Sequence, residues 1–284
     1  MTKSLDRAKL SALLQQEMEL FQKNHPKSHE LYQRAGRSLP GGVPMLWMTR
    51  WAGSFPVFVK EAKGARFTDV DGISYIDLCL GDTGAMTGHA PDATVQAVQE
   101  QIQKGITLML PYEDVIWVGE ELQRRFGLPY WQFALTATDA NRFVLRIARL
   151  ITGRPKILVF NYCYHGSVDE TLITLDEEGT PIPRPNNLGP QIDPRLTTKV
   201  IEFNDIAAIE TALSARDVAA VLAEPVMTNI GIIHPEPGYH DALREITHRY
   251  GTYLIIDETH TICTGPGGYT AAFALQPDFL TLGK

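Results

Sequence analysis

The sequence predicts an α/β protein built on a mostly parallel sheet sandwiched by helices. Three observations carry this expectation. Lys156–Phe160 (KILVF), Val218–Ala223 (VAAVLA) and Tyr253–Ile256 (YLII) are continuous apolar runs of strand length, the pattern of strands covered on both faces. Asp139–Ile151, Ile206–Ser214 and His240–Tyr250 carry apolar residues at helical spacing before and between those runs. Strands alternating with helices imply βαβ units, and βαβ units imply parallel pairing.

The elements follow in order. Residues 4–35 read as helix, with Leu10, Leu13, Leu14, Met18 and Phe21 on one stripe and an interruption at His25-Pro26. Leu39-Pro40-Gly41-Gly42-Val43-Pro44 is a turn-rich loop. Val57–Val59 and Ala65–Phe67 are expected as short strands around Lys63-Gly64. Asp69-Val70-Asp71-Gly72 reads as a hairpin turn, and Tyr75–Leu78 as the strand leaving it. From about residue 92 the helix–strand alternation begins, with helices over Thr94–Lys104, Val115–Phe126 and Asp139–Ile151. The last of these stops at Thr152-Gly153-Arg154-Pro155. Residues 176–196 are proline-rich and poor in large apolar residues, so a long surface loop is expected. The domain expectation is an N-terminal helix, loop and hairpin segment over 1–75, part of a small domain, and a large domain over 76–284.

Composition narrows the functions. The 284 residues are 44% hydrophobic and 21% charged, as in ordinary globular proteins. A formal charge of −7 argues against general nucleic-acid binding, which needs an excess of cations. No apolar stretch is long enough to span a bilayer. The polar N-terminus has no apolar signal core, so a cytoplasmic protein is expected. Cys79, Cys163 and Cys263 are widely spaced with no CxxC pair, so neither a disulfide framework nor a metal site is expected.

Five motifs could carry chemistry. Leu254-Ile255-Ile256 runs into Asp257-Glu258, and the carboxyl ends of parallel strands face the ligand crevice. Asp257 there either reaches a ligand or caps a helix. Thr136-Ala137-Thr138-Asp139 opens a helix, where backbone N–H groups and hydroxyls either hold a phosphate or simply cap. Tyr162-Cys163-Tyr164-His165-Gly166 follows a strand, so an aromatic face is available to a planar ligand, or packs in an ordinary turn. Glu224-Pro225-Val226 with Asn229 follows the next strand. Thr281-Leu282-Gly283-Lys284 ends in an amine. Pyridoxal 5'-phosphate (PLP) needs each kind of group: a helix N-terminus for phosphate, an aromatic for its ring, a carboxylate for its pyridinium and an amine for a Schiff base.

In that order the motifs resemble the class III (fold type I) PLP-dependent aminotransferases, and among them the branch of glutamate-1-semialdehyde 2,1-aminomutase. The resemblance extends from about Leu31 to Lys284. It includes Leu39-Pro40-Gly41-Gly42-Val43, Ala65–Gly72 with Tyr75-Ile76-Asp77, Gly88-His89-Ala90-Pro91, Thr136–Asn141, Cys163–Gly166, Glu224-Pro225-Val226 with Asn229 and Gly231, Asp257-Glu258 and Thr281–Lys284. It implies the large PLP domain of fold type I, incomplete here at its C-terminal end, because family members continue beyond the lysine. It implies that Lys284 forms the Schiff base and moves protons, and that Asp257 holds the pyridinium. Thr136, Ala137 and Thr138 would bind phosphate and Tyr164 would stack on the ring. His165, Glu224 and Asn229 would lie near the cofactor. Trp47, Arg50 and His260 are candidates for substrate contact. The implied function is a transaminase acting on a small-molecule amino donor and keto acceptor, as a homodimer with no nucleic-acid or membrane partner. An aminomutase or racemase, or a truncated interaction module, are the alternatives. Two departures stand out. Ala137 replaces a glycine, and Thr259-His260 follows Asp257-Glu258 where the family usually has valine.

Overall fold

A computed structural model describes residues 5–50, 52–186 and 193–284. The chain divides into two compact units, 1–108 and 109–284.

In the first unit, α1 (Arg7–Asn24) starts at Asp6, whose side chain accepts from the Lys9 N–H. It ends because Pro26 has no N–H to continue the ladder. Pro26 instead occupies the first turn of α2 (Pro26–Ala35), where its fixed φ suits a helix start. The Asp71 carboxylate caps α2 from a distance, accepting from the backbone N–H of Lys27 at 2.7 Å and of Ser28 at 3.0 Å. β1 (Val59–Lys63), β2 (Arg66–Asp69) and β3 (Ser74–Ile76) form an antiparallel meander. Val57 and Phe58 precede β1 rather than belonging to it. The hairpin turn falls at 69–72, where the buried Asp69 accepts from the N–H of Asp71 and Ile73. The Tyr75 hydroxyl donates to Asp69 at 2.9 Å. Burial and that carboxylate push the Tyr75 pKa up to about 12. α3 (Asp92–Ile102) completes the unit.

The second unit runs α4 (Asp114–Phe126), α5 (Ala137–Thr152), β4 (Lys156–Phe160), β5 (Ile173–Leu175), β6 (Pro181–Pro183), β7 (Thr198–Ile201), α6 (Ile206–Leu213), β8 (Val218–Ala223), α7 (Tyr239–Tyr250), β9 (Tyr253–Asp257), α8 (Gly268–Ala272) and β10 (Phe279–Thr281). Five strands make one parallel sheet in the order β10-β9-β8-β4-β7. All six residues of the central β8 are buried, and β4 is buried from Ile157 to Phe160. That explains why these strands lack the alternation of a half-exposed strand. α5 packs against β8, β9 and β10, α7 against β9, and α6 against β7. Val144, Leu145 and Ala148 of α5 meet the strands in one apolar core with Ile209, Leu213 and Leu243.

The proline-rich stretch departs from a plain surface loop. Pro181–Pro183 is a strand paired with Ile173–Leu175, and Pro194–Leu196 forms a short 3-10 turn. A two-stranded ribbon tolerates proline because its outer edge needs no donors. Residues 187–192 of that stretch lie outside the described residues.

Because the sheet is parallel, β4, β8, β9 and β10 all end on the same side. Asp257 stands opposite Thr281 in the register, and Ala223 opposite Ile256. The motifs that follow those strands are therefore gathered at one edge, at the crevice position of open α/β sheets.

Candidate active site

Asp257 is the centre of the buried polar structure at that edge. Only 3% of its surface is exposed. Its Oδ2 accepts from Asn141 Nδ2 at 2.9 Å and from His165 Nδ1 at 2.8 Å. Its Oδ1 accepts from the Thr259 N–H at 3.0 Å and from Thr259 Oγ1 at 2.5 Å. Burial works against the ionised form. The bonds from His165, Thr259 and Asn141 outweigh it and hold the carboxyl below its ordinary pKa. Burial likewise disfavours the His165 imidazolium, but the Cys163 sulfur and the Asp257 carboxylate push the His165 pKa well above the usual histidine value. The pair is thus an ionised carboxylate backed by a buried imidazole.

Asn141 is itself fixed. The Thr281 hydroxyl donates to Asn141 Oδ1 at 2.8 Å, so the amide nitrogen must face Asp257. β10, which leads to Lys284, is thereby tied through α5 to the carboxylate on β9. In the sequence, Asn141 and Thr281 stand out only as parts of motifs. The available signal was a polar residue on the core-facing stripe of α5, beside Val144, Leu145 and Ala148. Thr259 departs from the valine usual in the family, and no local signal marks it as a partner of Asp257.

The start of α5 uses its hydroxyls in two ways. Thr136 is the N-cap, accepting from the Asp139 N–H at 3.1 Å and donating to Asp139 Oδ2 at 2.9 Å. Thr138 Oγ1 accepts from the Ser167 N–H at 3.1 Å, tying the helix start to the turn after β4. Gly166 is required there. Its φ is +78°, and a Cβ would stand 2.1 Å from Thr138 Oγ1. The Ala137 methyl has an equally definite place. A Cβ on Gly283 would come within 2.7 Å of it, so Ala137 packs against the backbone beside Lys284.

The remaining strand ends brace one another. Glu224, buried at the end of β8, accepts from the Tyr164 N–H at 3.3 Å and from the Thr228 N–H and hydroxyl at 3.1 and 2.7 Å. Tyr162 has a left-handed backbone at φ 61°, uncommon for a non-glycine residue. Asn229 Nδ2 donates to the Tyr162 carbonyl at 2.9 Å and steadies that turn. The Tyr164 ring lies half exposed, at 49%. Lys284 is exposed, and its Nζ lies 2.9 Å from His260 Nε2. Thr136, Ala137, Thr138, Tyr164, His165, Glu224, Asn229, Asp257, His260 and Lys284 all belong to the second unit. Trp47 and Arg50 lie on the 46–50 turn of the first.

Residues 47–284 match the family Aminotransferase class-III, and the chain belongs to that family. It is 36% identical over 262 residues to the glutamate-1-semialdehyde 2,1-aminomutase of Methanocaldococcus jannaschii, covering 91% of this chain and 61% of that protein. The crystal structure of a glutamate-1-semialdehyde-aminomutase from Pseudomonas aeruginosa is 51% identical, with a TM-score of 0.96, covering 98% of this chain and 62% of that one. A second structure of that aminomutase is a complex with PMP. An omega-transaminase from Sphaerobacter thermophilus is 32% identical at a TM-score of 0.84, covering 90% of this chain and 60% of that one. The chain spans about three fifths of the length of these relatives.

Proposed function

We propose that this chain binds PLP at the carboxyl edge of its parallel sheet and moves amino groups there, between an amino donor and a keto acceptor. The observation that carries the reading is Asp257, a carboxylate kept ionised while buried, at the same sheet edge as the Lys284 amine. A carboxylate held ionised at a strand end suits a protonated pyridine nitrogen. The donor set fits PLP in other respects. The α5 N-terminus offers N–H groups to a phosphate. The Thr138 hydroxyl, which accepts from Ser167, retains its own proton to donate. Tyr164 offers an exposed face for stacking.

When bound, PLP supplies an electron sink that makes the substrate Cα–H acidic. Lys284 Nζ would be the amine that holds the cofactor, and it would carry a proton at the substrate α carbon. Asp257 would hold the ring nitrogen through its carboxylate. His165 and Asn141 keep Asp257 ionised and aimed. Glu224 and Asn229 hold the turn that presents Tyr164. His260 is proposed to orient the Lys284 amine. A cytoplasmic homodimer completes the proposal, in keeping with the family resemblance. Among the described residues no helix is long and apolar enough to cross a membrane.

Incubation of the full-length protein with PLP is expected to give a visible absorption band that Lys284→Ala loses. A colourless wild type would contradict the reading. The 51% identity to a glutamate-1-semialdehyde-aminomutase favours a second reading, isomerisation of a single amino compound. Turnover without any keto acceptor selects that second reading, and strict dependence on an acceptor selects the first.

A further inference from the structure

Thr259 has no part in the function proposed above, yet it makes the shortest contact to the carboxylate at its centre. A carboxylate has about four lone-pair sites, two on each oxygen. On Asp257 all four are taken. Asn141 Nδ2 and His165 Nδ1 fill Oδ2, and the Thr259 N–H and Oγ1–H fill Oδ1. A further donor must therefore displace one of the four.

They are not equally displaceable. Asn141 is fully buried and clamped by Thr281. His165 is 1% exposed, so its ring has no room to swing away. The Thr259 N–H closes a turn on the residue two before it, so it moves only with the backbone. The Thr259 hydroxyl alone can turn away by rotation of its own O–H or χ1. It also faces the right side. A Cβ built on Gly283 would meet Thr259 Oγ1 and Cγ2 at 3.2 Å, so the hydroxyl lies between Asp257 and the backbone that carries Lys284.

We propose that the Thr259 hydroxyl is a stand-in donor, which satisfies Asp257 Oδ1 in the cofactor-free protein and yields that site to the pyridinium N–H when PLP enters. This rests on the proposed PLP site and deepens it. Thr259 is then a positioning residue acting through Asp257. Its hydroxyl stabilises the empty protein and competes with the cofactor. A valine of the same shape would not compete.

The test compares wild type, Thr259→Val and Thr259→Ser in the full-length protein. Without cofactor, T259V is expected to unfold several degrees lower, because Oδ1 loses a charge-assisted bond. T259S, which keeps the hydroxyl, is expected to stay near wild type. With PLP, the order reverses. T259V is expected to bind roughly tenfold more tightly, the size of one hydrogen bond no longer displaced. A 1-deaza analogue of PLP, with C–H in place of the ring nitrogen, is expected to show no such gain. Opposite signs on empty-protein stability and PLP affinity are not produced by a packing role. PLP binding to T259V that is equal to or weaker than wild type overturns the inference. So does an equal gain with the deaza analogue. A wild type that takes up no PLP overturns the proposed function and this inference together, so the two failures are told apart.

Discussion

At the scale of single residues, the site is organised around charge that burial would ordinarily forbid. Asp257 is held ionised by His165, Thr259 and Asn141, and His165 is raised by the Cys163 sulfur and the Asp257 carboxylate, against burial in both cases. Breaking such a pair by Asp257→Asn is expected to cost about 3 kcal/mol in the folded protein. Its pH dependence follows from the directions of the two shifts. The folded Asp257 pKa is depressed, so its contribution is complete above the unfolded carboxyl value of about 3.9 and is lost as pH falls through the folded value. The folded His165 pKa is raised, so its contribution is complete below about 6.5 and is lost as pH rises through the folded value. Thermal unfolding across pH is therefore expected to show the largest gap between wild type and D257N from about pH 4 to about pH 6.5, closing on both sides. A gap independent of pH would contradict the ion pair. A steric prediction stands beside it. Gly166→Ala puts a methyl into Thr138 Oγ1 at a positive φ. It is expected to cost about 2 kcal/mol or more in denaturant unfolding, by overpacking together with backbone strain. An unchanged midpoint would show that the turn can move aside.

At the scale of elements, the sheet does the positioning. β8 is the sheet's central strand and is wholly buried, so Leu222→Ala is expected to lose about 2–5 kcal/mol on urea unfolding. A smaller loss would mean the core collapses around the gap. The strands with long apolar runs, β4, β8 and β9, were legible in the sequence almost to the residue, because burial on both faces leaves an unbroken pattern. β7 (TKVI) and β10 (FLT) were not. β7 lies at the sheet edge, where polar residues alternate with apolar ones, and β10 has only three residues, too few for periodicity to register. The hairpin of β5 and β6 was hidden by prolines that read as loop. α1 and α2 were seen as one interrupted helix, because Pro26 marks a helix start as clearly as a break. The site was legible as an ordered set of strand-end motifs. The bonds inside it were not. Nothing in local spacing says that Asn141 reaches Asp257 across 116 positions, or that Thr259 rather than a neighbour fills Oδ1.

At the scale of the molecule, two compact units of one chain belong to a family whose relatives are longer. Each unit carries large apolar side chains on its surface. Leu10, Leu13 and Leu14 are exposed on α1, and Tyr130 and Leu135 in the second unit. The homodimer proposed above is expected to appear as twice the chain mass in light scattering of the full-length protein, and a monomer at all concentrations would contradict it.

The most direct measurement is the site of cofactor attachment. Reduction of the PLP-loaded protein with borohydride, followed by peptide mass mapping, is expected to find the phosphopyridoxyl group on the peptide containing Lys284 and absent from the Asp257→Asn variant at equal PLP. Attachment at another lysine, or none in wild type, would contradict the assignment of Lys284 and Asp257 as the two ends of one PLP site.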